Sequence, residues 1–303
     1  MLWGAKGALG SGALEALVYE ELEHAGAAGD YARVMGRARA ASLLGVMTAT
    51  ALAGPAWEAG GYGLVGAASV AACVLTAAVA GRLPEHRGGR PVDEASPAGK
   101  GWLTSLRTGL AEARGNRSVR GALLLVPAVT AVWGALDEYT PLLVREAGAA
   151  HAEVPWWLLL IWVGATAGSL LAGAVRGLRT AGFAVLLGCA GLALGAGAAL
   201  PAAGLPLPAG IALVALAFCG FQLATVLADA RLQARITGPS RATVTSLAGA
   251  ATELTTAGVY GAYGLLASAT THGAVFAVFA VPYLVTALVL QAPRCGTTRM
   301  PKS

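Results

Sequence analysis

The chain has 303 residues, with 21 Lys and Arg against 16 Asp and Glu; 56% of it is hydrophobic, only 12% is charged, and the mean hydropathy is +0.65. Soluble domains carry roughly 25% charged residues, so this arithmetic excludes both disorder and a single water-soluble globule. Glycine contributes 42 residues and aromatics only 6%, the mix of small side chains that lets helices approach closely in lipid, and the ten-residue alternating strands of a membrane barrel are missing; the expected fold class is an all-α membrane protein.

A spanning helix needs about 20 mostly apolar residues, and stretches free of charge predict nine of them. Met1 to about Leu22 is apolar with two interior charges, Lys6 and Glu15. Ala40 to Trp57 and Ala59 to Gly81 follow. A basic loop then leads to Gly121–Leu136, which continues through Asp137 and Glu138 to Val144, and to Val154–Val175. Thr180–Ala228 is long enough for two spans, broken by Pro201, Pro206 and Pro208, and Ala242–Pro293 for two more, broken at Thr270, Thr271 and His272. The organisation read from this is residues 1–83 as three spans, 84–119 as a linker, 120–293 as six spans and 294–303 as a tail.

Basic residues support the count, because cytoplasmic loops collect Lys and Arg. All but Lys6 and Arg145 of the 21 fall in alternate loops or the tail. The C-terminus is therefore expected in the cytoplasm, and the first span is expected to start outside. Within the linker, Pro84 to Gly101 has a flexible composition. Leu103, Leu106, Leu110 and Ala113 then recur at helical spacing opposite Arg107, Glu112 and Arg114, which fits either an interfacial helix or a solvated basic loop.

Cys73, Cys189, Cys219 and Cys295 are far apart, and the histidines fall between apolar runs. Neither zinc nor a disulfide frame is indicated, and no metal or other cofactor is expected. Trp156 and Trp157 after Pro155 fit an interfacial belt. Gly164 with Gly168, Gly173 with Gly177, and Gly191 with Gly195 fit helix-packing surfaces.

Several segments resemble a known family. Trp3, Lys6, Leu9, Gly10, Gly12 and Ala13 are similar to the fourth-helix motif of the major facilitator superfamily, with Lys6 in place of its Arg and Leu9 in place of its Gln. Ser11 to Glu20 resembles the end of that helix in bacterial drug-efflux-like members. Gly45, Gly54, Pro55, Gly60 and Gly61 resemble the glycine-proline motif of proton-coupled antiporters, with longer spacing after the proline. Gly173, Arg176, Gly177 and Arg179 resemble the Gly-x-x-x-Asp-Arg-x-Gly-Arg loop without its Asp, and Gln233 with Arg241 to Leu247 resembles the start of helix 11. The resemblance implies a helical bundle of the major facilitator type whose spans correspond to helices 4 to 12. No segment of the sequence corresponds to helices 1 to 3, so an upstream portion is expected. It further implies a plasma-membrane carrier exporting small amphipathic or drug-like molecules against protons.

Ionisable residues inside spans are functional candidates by default. Glu253 lies ten residues into an otherwise uncharged stretch, where a carboxyl can carry a proton or bond a neighbouring helix. Asp137 and Glu138 are about 100° apart on a helix, so one can face a cavity, or both can sit at the outer surface. Lys6 faces a cavity or pairs. Glu15 is placed to pair with Arg33, Arg37 or Arg39, in a structural or gating role. Asp229, Arg231, Arg176 and Arg179 read as gate or loop charges, and Gln222, Tyr139, Tyr260 and Tyr263 as cavity-lining side chains. No phosphate-binding loop, metal cluster or acyl-transfer set is present in the sequence, so an enzyme is not expected. The net charge of +5 is accounted for by the basic loops without nucleic acid. A transport-inactive membrane piece or interaction partner is the alternative expectation.

Overall fold

A computed structural model describes residues 13–82, 107, 111, 114–151, 153–204, 206–236 and 241–292. Every element among them is helical: α1 (Ala13–His24), α2 (Tyr31–Ala80), α3 (Arg117–Asp137), α4 (Thr140–Glu146), α5 (Val154–Leu171), α6 (Thr180–Ala199), α7 (Leu207–Gln233), α8 (Arg241–Ala267) and α9 (His272–Gln291), with 3-10 turns at Ala28–Asp30 and Pro201–Ala203. Lys6 and nearly all of the linker at 84–119 lie outside the described residues.

Six helical segments are long and apolar enough to cross a membrane: Pro55–Ala80, α3, α5, α6, α7 and α9. This is fewer than the nine spans expected. The shortfall has physical causes. α8 is 27 residues long but carries five threonines along with Ser246 and Glu253, which dilute its hydropathy. The stretch before Pro55 belongs to a helix that opens with Arg33, Arg37 and Arg39, and α1 is described only from Ala13. The expected break between the second and third spans is present as a kink. Gly60 and Gly61 leave helical geometry inside α2, with Gly61 at φ 54°, a left-handed conformation that glycine adopts without a Cβ clash.

The fourth predicted span, Gly121–Val144, is likewise divided, at Glu138 and Tyr139. Pro141 has no N–H to bond the Asp137 carbonyl four residues back, and the Thr140 hydroxyl donates to that carbonyl instead, at 2.7 Å. Asn116 caps the start of α3, accepting the Ser118 N–H at 2.9 Å.

Packing follows the small residues. A Cβ on Gly164 or Gly168 would run into the Ala215 or Cys219 carbonyl, so α5 and α7 cross nearly backbone to backbone. Gly191 and Gly195 of α6 face Tyr283 and Ala280 of α9, and Gly36 of α2 presses on Ser169 of α5. The fully buried layer includes Phe183, Phe218, Phe221 and Phe276. Leu124, Leu192 and Leu288 point outward at 58%, 62% and 67% exposure, the surface a lipid-facing bundle requires.

The last six long helices form two units of three, α3–α5–α6 and α7–α8–α9, whose contacts are reciprocal. The first helix of each unit packs on the second of the other, α3 on α8 and α7 on α5. The two first helices pack together, as do the two third helices, α6 and α9. α1 and α2 lean on this body through α8, α5 and α7.

Candidate functional site

Where α1 and α2 meet α3, α7 and α8, five helices line a half-open cavity of about 160 Å³. Its walls follow from helical periodicity. Thr245, Ala248, Gly249, Thr252 and Glu253 form one stripe of α8; Thr225, Asp229 and Leu232 form one of α7; Val126 and Thr130 form one of α3. Glu15 enters from α1 and Arg39 from α2. Eight of these twelve residues are polar or charged, in a chain where only 12% are charged.

The donors in this wall are already engaged. Arg39 Nη2 donates to Asp229 Oδ2 at 2.5 Å. The Thr252 hydroxyl donates to the Ala248 carbonyl, and that of Thr245 to the Arg241 carbonyl, each at 2.9 Å. Thr245 also accepts Gln233 Nε2–H at 2.9 Å, and Thr225 accepts the Trp133 indole N–H at 3.1 Å. Thr130 lies 3.4 Å from Thr225, oxygen to oxygen. Glu15 and Glu253 make no hydrogen bond or ion pair among the described residues. Below the cavity Tyr31 is 2% exposed with an unpartnered hydroxyl. Burial, then the charges of Asp229 and Glu15, hold that phenol well above its ordinary pKa.

The end of the bundle that carries the arginine-rich loops is fastened by side chains. Arg176 pairs with Asp30, and Arg33 lies 3.7 Å from the same carboxylate. Arg241, 5% exposed, reaches Glu23 at 3.4 Å, lies 4.0 Å over the Tyr19 ring and donates to the Gln233 carbonyl at 2.6 Å. With Arg39–Asp229, three of these pairs join α1, α2 or the turn between them to the six-helix body. Beyond Ala40 most of α2 is exposed along its length.

The far end of the bundle holds an aromatic cluster. Tyr139 stacks on Tyr263 with centroids 3.6 Å apart, and Tyr260 meets Tyr139 edge-on at 5.9 Å. The Tyr263 hydroxyl is 2.7 Å from His272 Nδ1. Glu146 accepts the His272 and Gly273 N–H groups at 2.6 and 3.2 Å, next to a second cavity of about 290 Å³ lined mostly by apolar side chains of α4, α6 and α9.

The candidates read from sequence thus divide. Glu15, Asp229 and Glu253 come together in one cavity, whereas Asp137, bonded by the Trp162 indole N–H at 3.4 Å, and exposed Glu138 sit at the far end. Gln222 is buried between helices and donates to the Ser169 hydroxyl at 2.9 Å, so it faces α5 and not the cavity. Arg231 donates to the Leu178 carbonyl at 2.7 Å and lies over the Phe183 ring; Arg179 is exposed just before α6. Arg39, a candidate partner for Glu15, bonds Asp229 instead. Tyr31, the threonine stripe and Glu146 went unread. The threonines of α8 recur at 245 and 252 beside Glu253, a spacing that signals one polar helix face.

No three His, Cys, Asp or Glu side chains among the described residues converge as metal ligands. Comparison with family models, curated proteins and solved structures yields no match.

Proposed function

We propose that this chain is a secondary transporter of the major facilitator type, moving small amphipathic molecules out of the cell by alternating access and driven by protons. The observation that carries the reading is the reciprocal packing of α3–α5–α6 with α7–α8–α9. Three crossings per unit reverse the second unit in the membrane, and inverted repeats related in this way are a common plan of secondary carriers. Their sites lie at the interface between moving parts. The cavity holding Glu15, Asp229 and Glu253 has that placement, between α1–α2 and the six-helix body.

On this reading the arginine-rich end faces the cytoplasm, and the state fastened there is closed to the inside. Inward opening requires Arg39–Asp229, Arg176–Asp30 and Arg241–Glu23 to separate. Glu253, which makes no hydrogen bond or ion pair among the described residues, carries the coupling proton. Proton-gradient-dependent efflux of a fluorescent amphipathic dye from cells expressing the chain tests this. The expected result is efflux that collapses when the gradient is dissipated and is lost in Glu253→Gln. Efflux equal to that of empty cells overturns the proposal.

A second reading, a membrane interaction partner, is favoured by one feature. The apolar window of Pro55–Ala80 has 0% of its residues buried, leaving a whole helix free to meet lipid or another protein.

A further inference from the structure

We infer that the cavity between α1, α2, α3, α7 and α8 binds a compact monovalent cation. Its wall presents acceptors. The donor side of Arg39 is turned to Asp229 at 2.5 Å, and the hydroxyl protons of Thr245 and Thr252 are spent on backbone carbonyls. What these groups offer inward is oxygen lone pairs, beside the carboxylates of Glu15 and Glu253. With the side chains ionised, three carboxylates face one guanidinium, a formal excess of two negative charges.

An independent observation points the same way. The Tyr31 hydroxyl is buried, unpartnered and in the field of Asp229 and Glu15, and the Gln233 Oε1 acceptor behind Thr245 is buried and unpartnered as well. Buried polar atoms ordinarily find partners, so two orphans flanking one cavity mark a place where something polar belongs. A protonated carboxyl uses one acceptor, whereas hard cations take several oxygen ligands, and this wall presents several.

Size and charge narrow the class. Drug-sized sites measure roughly 300–1,000 Å³, while about 160 Å³ holds a small ion with a few waters at about 30 Å³ each. The carboxylates do not converge on one point, which suits a monovalent ion over a divalent one. The ion is an alkali-metal ion or the ammonium head of a substrate; both present compact positive charge to oxygen. Binding stands without the transport reading, but exchange of the cation for protons at Glu253 rests on it.

The test uses the full chain in lipid nanodiscs. Thermal unfolding is followed while NaCl, or separately methylammonium chloride, replaces tetraethylammonium chloride at constant ionic strength, the last cation having no N–H group and a charge shielded by its ethyl groups. Ligands that bind only the folded state raise its stability saturably. Saturable stabilisation by Na⁺ identifies a metal ion, and by methylammonium alone an ammonium head; either supports the inference. Glu253→Gln and Thr252→Val should each weaken the response, the first by about tenfold, equivalent to about 1.4 kcal/mol, while Glu58→Gln, outside the cavity, should leave it unchanged. No difference among the three cations overturns the inference, as does a response that survives Glu253→Gln undiminished. Binding without solute movement in proteoliposomes would defeat the transport reading alone. Transport with no cation dependence would defeat only this inference.

Discussion

Arg39 Nη2 and Asp229 Oδ2 meet at 2.5 Å although 190 residues separate them in the chain. The bond ties α2 to α7, with 29% and 15% of the two side chains exposed. Such a pair contributes more than a solvated surface bridge, and removing one partner leaves the other charge stranded in a poorly hydrated place. If opening this end is part of the working cycle, the pair must hold one state without locking it. Asp229→Ala should cut efflux at least about tenfold, a change in transition-state or state-population energy of about 1.4 kcal/mol. The reversed pair Arg39→Asp with Asp229→Arg should recover part of it. Dye efflux from cells with matched expression checks this, and equal loss in the single and reversed variants would assign Asp229 a role other than pairing.

The α5–α7 crossing depends on two glycines. A side chain at Gly168 would overlap the Cys219 carbonyl, whereas Gly258 on α8 has nothing within 4 Å of a built Cβ. Gly168→Val should therefore force the helices apart and cost about 1–3 kcal/mol or more, read as a lower unfolding temperature in detergent and loss of the monodisperse peak in size exclusion. Gly258→Ala should be neutral or stabilising by up to about 1 kcal/mol.

These contrasts indicate how far the sequence could be read. Apolar run length located the helices from Ala40 to Gln291, because lipid-compatible composition and helix length are local properties, but it reads Tyr31–Arg39, which opens α2, as a loop. The packing role of Gly164 with Gly168 was visible from their spacing, and Glu15, Asp229 and Glu253 stood out as charges in apolar surroundings. Their convergence was not legible: they lie on three helices, and no local pattern encodes which faces meet. For the same reason Gln222 looked like a cavity residue when its partner, Ser169, is 53 residues away on α5. The threonines of α8, which supply two of the cavity's four hydroxyls, were hidden in the opposite way. Their polarity lowers the hydropathy that marks a span, so α8 falls short by that measure although the near-absence of charge in Ala242–Pro293 marks two helices there.

Tyr283 is fully buried and its hydroxyl is interposed in α3, accepting the Trp133 N–H at 2.8 Å and donating to the Val129 carbonyl at 3.2 Å. An unbroken helix would join those two backbone groups directly. A side chain inserted into the ladder loosens a helix locally, and Pro127, two residues before Val129, removes another rung nearby. Tyr283→Phe withdraws the bridge while leaving the ring stacked on Phe221, whose centroid is 4.0 Å away. The expected loss is about 1–2 kcal/mol, measured by thermal unfolding. Faster hydrogen exchange at Trp133 than in wild type would show that the backbone pair does not close by itself.

The start of α9 offers a separable test, because two side chains share the work of capping it. The first N–H groups of a helix have no intrahelical acceptor. Thr271 accepts the Ala274 N–H at 3.2 Å, and Glu146, from the end of α4, accepts those of His272 and Gly273. A carboxylate here also faces the positive end of the α9 dipole. Glu146→Ala should cost about 0.5–2 kcal/mol and free α4 from α9, raising hydrogen exchange in both segments. Glu146→Gln keeps one acceptor oxygen and drops the charge, so it should lose less, with the remaining difference shrinking as salt screens the dipole. The exposed neighbour Arg145 serves as the comparison: its Nη1 bonds only the Ala149 carbonyl, at 3.3 Å, so Arg145→Gln should affect the α4–Ala149 turn without loosening α9. If Arg145→Gln and Glu146→Ala raise exchange at Gly273 equally, the cap is not what fastens these helices together.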